Sequence, residues 1–169
     1  LRHFPFLLRL LALVLLIIVI ARPLSINSSD KSNTEGIDIV MALDVSSTML
    51  AGDFQPNRLE AAKKVAAEFI NDRSSDKIGL VIFAGESFTQ CPLTTDHKVL
   101  LNLLNEVKFG MIEDRTAIGL GLATSVNRLK DSDSNSRVII LLTDGSNNAG
   151  QIAPLTAAEL AASYGIRVY

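Results

Sequence analysis

Three short runs constrain this chain more than any other feature. Ile37–Leu43, the Ile-Gly-Leu-Val-Ile-Phe within Lys77–Ala84, and the Val-Ile-Ile-Leu-Leu within Arg137–Thr143 are apolar at almost every position. A strand with one wet face alternates; a strand covered on both faces does not. Between and after these runs the apolar residues recur at helical spacing: Leu59, Ala62, Ala66, Phe69 and Ile70; Val99, Leu100, Leu103 and Leu104 within Thr95–Val107; Ile118, Leu122, Val126 and Leu129; and Thr156–Tyr164. Asn57 with Glu60, and Thr156 with Glu159, have the spacing of capping boxes. Doubly covered strands separated by helices predict a doubly wound α/β domain, with a mostly parallel sheet and helices on both faces. Ligands of such folds sit beyond the carboxyl ends of the strands, near a topological switch point.

A second feature stands outside that domain. Leu10–Ala21 has no charged or polar side chain, and extension back to Phe4 adds only Arg9 as an interruption. The run of about 18 residues is near the lower limit for spanning ~30 Å of hydrocarbon. It is apolar on every face, unlike a surface helix, and Ala21-Arg22-Pro23 is a poor cleavage site. The expected organisation is therefore a transmembrane helix with a basic flank over 1–23, a polar linker over 24–36, and a domain over 37–169. The closing Gly165–Tyr169 reads as a strand barely begun, so the domain is expected to be C-terminally truncated. Arg2 and Arg9 before the helix and Arg22 and Lys31 after it leave the positive-inside rule undecided. A net charge of −2 without a basic stripe argues against nucleic acid. The single Cys91 excludes an internal disulfide and any multi-cysteine metal site.

Two aspartates stand directly after predicted strands: Asp44 after Ile37–Leu43 and Asp144 after Val138–Thr143. Parallel central strands would bring both to one rim, where their repulsion favours a bound cation. Taken singly, each equally suits a cap of the following turn. Ser46 and Thr48 add hydroxyls two and four residues after Asp44, and carboxylate plus neutral oxygens is a hard-ligand set suited to Mg²⁺, Mn²⁺ or Ca²⁺. Zinc would prefer His or Cys, which are scarce. Enzymatic readings fare worse. A haloacid-dehalogenase-type phosphatase needs a second Asp where Ser46 stands, and neither a P-loop nor a dinucleotide fingerprint occurs. His97, the only histidine beyond the N-terminal helix, has no serine elbow to serve and reads as a polar helix residue. The chain is therefore expected not to be an enzyme; a phosphohydrolase with Asp44 as nucleophile is the catalytic alternative. Asp53 and Asp114 read as solvated loop acids, and Cys91 as a packing residue.

Asp44-Val45-Ser46-Ser47-Thr48 resembles the D-x-S-x-S motif of von Willebrand factor A (VWA) domains, with Thr for the last Ser; there the motif forms a metal-ion-dependent adhesion site (MIDAS). The family's second-loop Thr and third-loop Asp match Thr116, which alone reads as a helix cap, and Asp144. Asp53–Glu60, Phe83–Thr94 and Thr143–Gly150 further resemble the BatA-type bacterial aerotolerance proteins. The resemblance implies a metal site of Asp44, Ser46, Thr48, Thr116 and Asp144, Mg²⁺ (or Mn²⁺ or Ca²⁺) as cofactor, and a protein partner whose acidic side chain completes the coordination. The loops around Glu113-Asp114-Arg115 and Ser146-Asn147-Asn148 would flank that contact. It also implies a bacterial inner-membrane location with the VWA domain periplasmic and lipid around residues 4–21. Other VWA membrane proteins are implied as companions. An alternative role is an accessory subunit of a separate MoxR-type AAA+ ATPase in envelope stress response or protein maturation.

Overall fold

The computed structural model describes residues 3–21, 36–145 and 147–169. The chain divides into two compact units, Leu1–Asn33 and Thr34–Tyr169. In the first, α1 (Phe4–Ala21) is an 18-residue helix, and Phe4, Phe6, Leu7, Leu8, Leu10 and Leu11 are all exposed on it. At 1.5 Å per residue it is roughly 27 Å long, short of the ~30 Å hydrocarbon layer. Among the described residues no helix is long and apolar enough to cross a membrane. The structure thus supplies a helix where the sequence places one, without establishing the expected span. Arg2, Arg22, Lys31 and the polar stretch 24–35 lie outside the described residues.

The second unit runs β1 (Asp38–Asp44), α2 (Arg58–Asn71), β2 (Lys77–Phe83), β3 (Ser87–Thr94), α3 (His97–Glu106), α4 (Ile118–Leu129), β4 (Arg137–Leu142), α5 (Pro154–Ser163) and β5 (Ile166–Val168). These strands form one sheet in the order β3-β2-β1-β4-β5. β1 lies between two parallel neighbours, with Ile39 opposite Ile78 on one side and Val138 on the other. β3 runs antiparallel to β2 along an irregular register, so the sheet is mixed.

The doubly covered runs have their physical reason in two cores. Ile39, Met41 and Leu43 point to the face where Leu59, Ala66 and Ile70 of α2 meet Leu100 and Leu104 of α3. Val40 and Ala42 point to the other face, against Leu122, Val126 and Leu129 of α4 and Ala157 and Ala161 of α5. Each fully buried Leu or Ile contributes about 1.5–3 kcal/mol relative to exposure. α4 lies close on the sheet because it carries Gly121 there: a Cβ at that position would stand 2.7 Å from the Phe83 ring.

One strand went unforeseen, and two capping boxes need correction. β3 was not foreseen as a strand: only Cys91 is buried along it, and it contains Pro92, which an edge strand tolerates. α5 begins at Pro154 with Ala153 as N-cap and no side-chain cap bond, so Thr156 and Glu159 form no capping box. At α2 the Asn57 side chain does accept from the Glu60 N–H at 2.9 Å, but the Glu60 carboxylate takes the Lys63 ammonium at 3.0 Å.

Candidate metal centre

The chain leaves β1 towards β2 and β3 on one side of the sheet and later returns to β4 on the other. The loops after β1 and β4 consequently part above the sheet, at a switch point. Asp44 is the last residue of β1 and has no exposed surface. Its Oδ1 accepts from the Ser46 N–H at 2.9 Å and its Oδ2 from the Thr143 hydroxyl at 2.7 Å. Among the described residues no Lys, Arg or His forms an ion pair with it. Burial of a carboxylate against neutral donors alone is costly unless a cation shares the site.

The other predicted residues converge from three loops. Ser47–Leu50 forms a single 3-10 turn after β1. The Thr48 hydroxyl donates to Asp144 Oδ1 at 2.8 Å. That commits its one proton, so in the 2.9 Å contact between the Ser46 and Thr48 hydroxyls Ser46 is the donor. Asp44, Ser46, Thr48 and Asp144 thereby form one connected set. Thr116 is buried, and its backbone N–H donates to Asn148 Oδ1 at 2.8 Å. It does not cap α4, whose N-cap is Ala117. A Cβ at Gly145 would stand 3.6 Å from Thr116 Oγ1 and 3.8 Å from Thr48 Oγ1. Both hydroxyls therefore border one position at the start of the loop after β4.

Several participants were not foreseen. Thr143 supplies the hydroxyl that holds Asp44. Asn148 fixes the Thr116 backbone in both directions, also donating its own N–H to Thr116 O at 2.9 Å. Asp114 and Asp53, expected to be solvated, are exposed but engaged. Asp114 accepts from the Ser47 N–H at 2.8 Å, a bond that holds its carboxyl below the usual carboxylate range. Asp53 is held low by the Arg58 guanidinium, and Arg58 also donates to Asp144 Oδ2. Of the second flanking loop, Ser146 lies outside the described residues. His97 sits at the start of α3, its Nε2 3.0 Å from the Asp76 carbonyl oxygen. Cys91 is buried, and that burial pushes its thiol up.

Two carboxylates and three hydroxyls make an all-oxygen donor set, which fits a hard divalent cation. Among the described residues no group of three or more His, Cys, Asp or Glu converges. A site that takes most of its ligands from hydroxyls would not present one.

The oxygen-lined rim lies at the switch point, the place where open α/β sheets bind their ligands. Residues 39–147 match the von Willebrand factor type A domain, and the chain belongs to that family. An uncharacterized protein of Borreliella burgdorferi is 36% identical over 135 residues, covering 79% of this chain and 40% of the relative. An aerotolerance-related membrane protein from Bacteroides fragilis, solved with multiple mutations to serines, superposes with a TM-score of 0.74 at 35% identity, covering 79% of this chain and 65% of that one. Proximal thread matrix protein 1 from the mussel byssus, with a zinc-occupied MIDAS motif, superposes with a TM-score of 0.70 at 25% identity, covering 79% and 34%. The chain spans about half the length, or less, of the curated relatives it matches.

Proposed function

We propose that this chain is a membrane-anchored VWA module that binds a protein partner through a divalent cation held by Asp44, Ser46, Thr48, Thr116 and Asp144. The observation that carries the reading is Asp44: a fully buried carboxylate whose partners among the described residues are all neutral, beside hydroxyls and a second carboxylate. Asp44 and Asp144 match the charge of one divalent ion, and the hydroxyls of Ser46, Thr48 and Thr116 supply neutral ligands. A bound cation of this kind offers a coordination position to a partner's carboxylate. Mg²⁺ is the proposed ion, with Mn²⁺, Ca²⁺ and Zn²⁺ as competitors in the test. The role proposed is binding rather than catalysis: among the described residues the acids are joined by hydroxyls and one arginine, with no histidine beside them. The exposed apolar side chains of α1 and the membrane-protein relative support an anchor in lipid. The bacterial inner membrane with a periplasmic VWA domain, and partnership with other VWA membrane proteins or a MoxR-type ATPase, follow from the BatA-type resemblance.

The test is calorimetric titration of Mg²⁺, Mn²⁺, Ca²⁺ and Zn²⁺ into the detergent-solubilised chain, beside Asp44→Ala and Ser46→Ala. One-site binding lost in both variants, with their circular dichroism unchanged, supports the reading. A folded wild-type chain that takes up none of the four ions overturns it.

A further inference from the structure

Arg58 occupies the first turn of α2, the positive end of the helix dipole, where a cation is disfavoured. Two carboxylates hold it there. Its Nε donates to both oxygens of Asp53 at 2.8 and 3.0 Å, and its Nη2 donates to Asp53 Oδ2 at 2.7 Å. Only Nη1 reaches across to Asp144 Oδ2. The other oxygen of Asp144 is taken by the Thr48 hydroxyl. The arginine is therefore anchored on Asp53 and lends one N–H to the candidate metal ligand. Its side chain is 32% exposed, so the guanidinium is not locked in place by packing.

We propose that Arg58 is a displaceable counter-cation of the metal centre: its guanidinium competes with a divalent ion for Asp144, and Asp53 retains it when Asp144 turns to the metal. This rests on the metal-centre reading above. The geometry makes the exchange inexpensive, because release of Asp144 breaks one of the guanidinium's bonds and leaves the bonds to Asp53 intact. Without Asp53 the same release would strand a cation at the wrong end of a helix. Arg58 thus lowers metal affinity, and Asp53 limits how far it does so.

A double-mutant cycle on the full, detergent-solubilised chain tests this, with Mn²⁺ affinity measured by calorimetry for wild type, Arg58→Gln, Asp53→Asn and the double variant. For a partly exposed ion pair, Arg58→Gln is expected to tighten Mn²⁺ binding about fivefold and Asp53→Asn to weaken it about threefold. In the Arg58→Gln background Asp53→Asn should have no effect, because there is no guanidinium left to retain. Simple long-range charge predicts the same two signs but additive effects; additivity overturns the proposal. So does an Arg58→Gln affinity equal to or weaker than wild type, and in that outcome the metal centre itself stands. If neither wild type nor Arg58→Gln takes up Mn²⁺, the metal-centre reading fails and the competition fails with it. Should Arg58→Gln not fold, Arg58→Lys replaces it: lysine keeps the charge but lacks the fork that bridges two carboxylates. It should still tighten binding, and unchanged affinity there overturns the proposal.

Discussion

Asp44 ends β1 in the middle of the sheet, wholly buried, with a backbone N–H and the Thr143 hydroxyl as its partners. Asp144, two residues beyond β4, keeps 15% of its side chain in solvent and is bound by Arg58 and Thr48. The two carboxylates flank one switch point, yet among the described residues only the second pairs with a cation. A buried charge without a counter-ion raises the free energy of the chain that contains it. A partly exposed, paired charge does so far less. The loop after β1 is therefore the half of the site with most to gain from a metal, and the loop after β4 the half that is already compensated.

The largest expected effect follows from that asymmetry. Asp144→Asn should weaken Mn²⁺ binding about tenfold, since the lost ligand also had to be won from Arg58, whereas Asp44→Asn should weaken it by more than about a hundredfold. Calorimetry on both variants decides the order. Equal losses, or a larger loss at Asp144, would break the comparison.

In chelator the same pair should diverge in the opposite sense. Asp44→Asn removes a buried, uncompensated charge and is expected to stabilise the metal-stripped chain by about 1–3 kcal/mol. The asparagine oxygen can keep the Ser46 N–H, and its amide can donate to Thr143 once that hydroxyl rotates. Asp144→Asn loses the charge that holds Arg58, so its midpoint should fall modestly. Denaturant unfolding in EDTA reads both signs, and a destabilised Asp44→Asn would show that Asp44 is fully satisfied by its neutral donors.

What could be read in the sequence divides along a related line. β1, β2 and β4 were legible because burial on both faces leaves an apolar run that needs no partner to be recognised. β3 was not, because an edge strand with one buried residue, Cys91, has neither run nor alternation. Within the site, Asp44, Ser46 and Thr48 declare themselves by spacing, and Asp144 by following a strand. Thr116 came from family resemblance alone. Arg58, Thr143 and Asn148 act on partners 86, 99 and 32 residues away, a distance no local pattern spans. One signal was available for Arg58: a cation directly after the cap residue Asn57 opposes the helix dipole and so points to a specific acidic partner.

Thr143 sharpens the comparison at the next level of magnitude. Thr143→Val keeps the shape but deletes the hydroxyl that Asp44 Oδ2 accepts from at 2.7 Å. The expected cost is about 1–3 kcal/mol, that of leaving a buried acceptor unpaired. It should be larger in EDTA than in saturating Mn²⁺, where the ion takes over the compensation. Chemical denaturation of the variant in the two buffers measures the difference, and an identical cost in both would mean that Asp44 is no ligand.

The smallest effect lies on the compensated side and is read through pH. Asp53 is held below its ordinary value of 3.8 chiefly by its hydrogen bond from Arg58. A group whose carboxyl is depressed in the folded state lends stability that is present above the unfolded value and lost as pH falls through the folded one. In metal-stripped buffer the wild-type chain should therefore melt slightly above Asp53→Asn at neutral pH. The gap should persist down to about pH 4 and then close on further acidification, because protonated Asp53 no longer differs in charge from asparagine. The group is exposed, so the gap should also shrink as salt is raised. Differential scanning calorimetry from pH 7 to pH 2 at two salt concentrations follows it. A gap that survives acidification would show that Asp53 holds the start of α2 by shape rather than by charge. The anchor that lets Arg58 release Asp144 would then need another source.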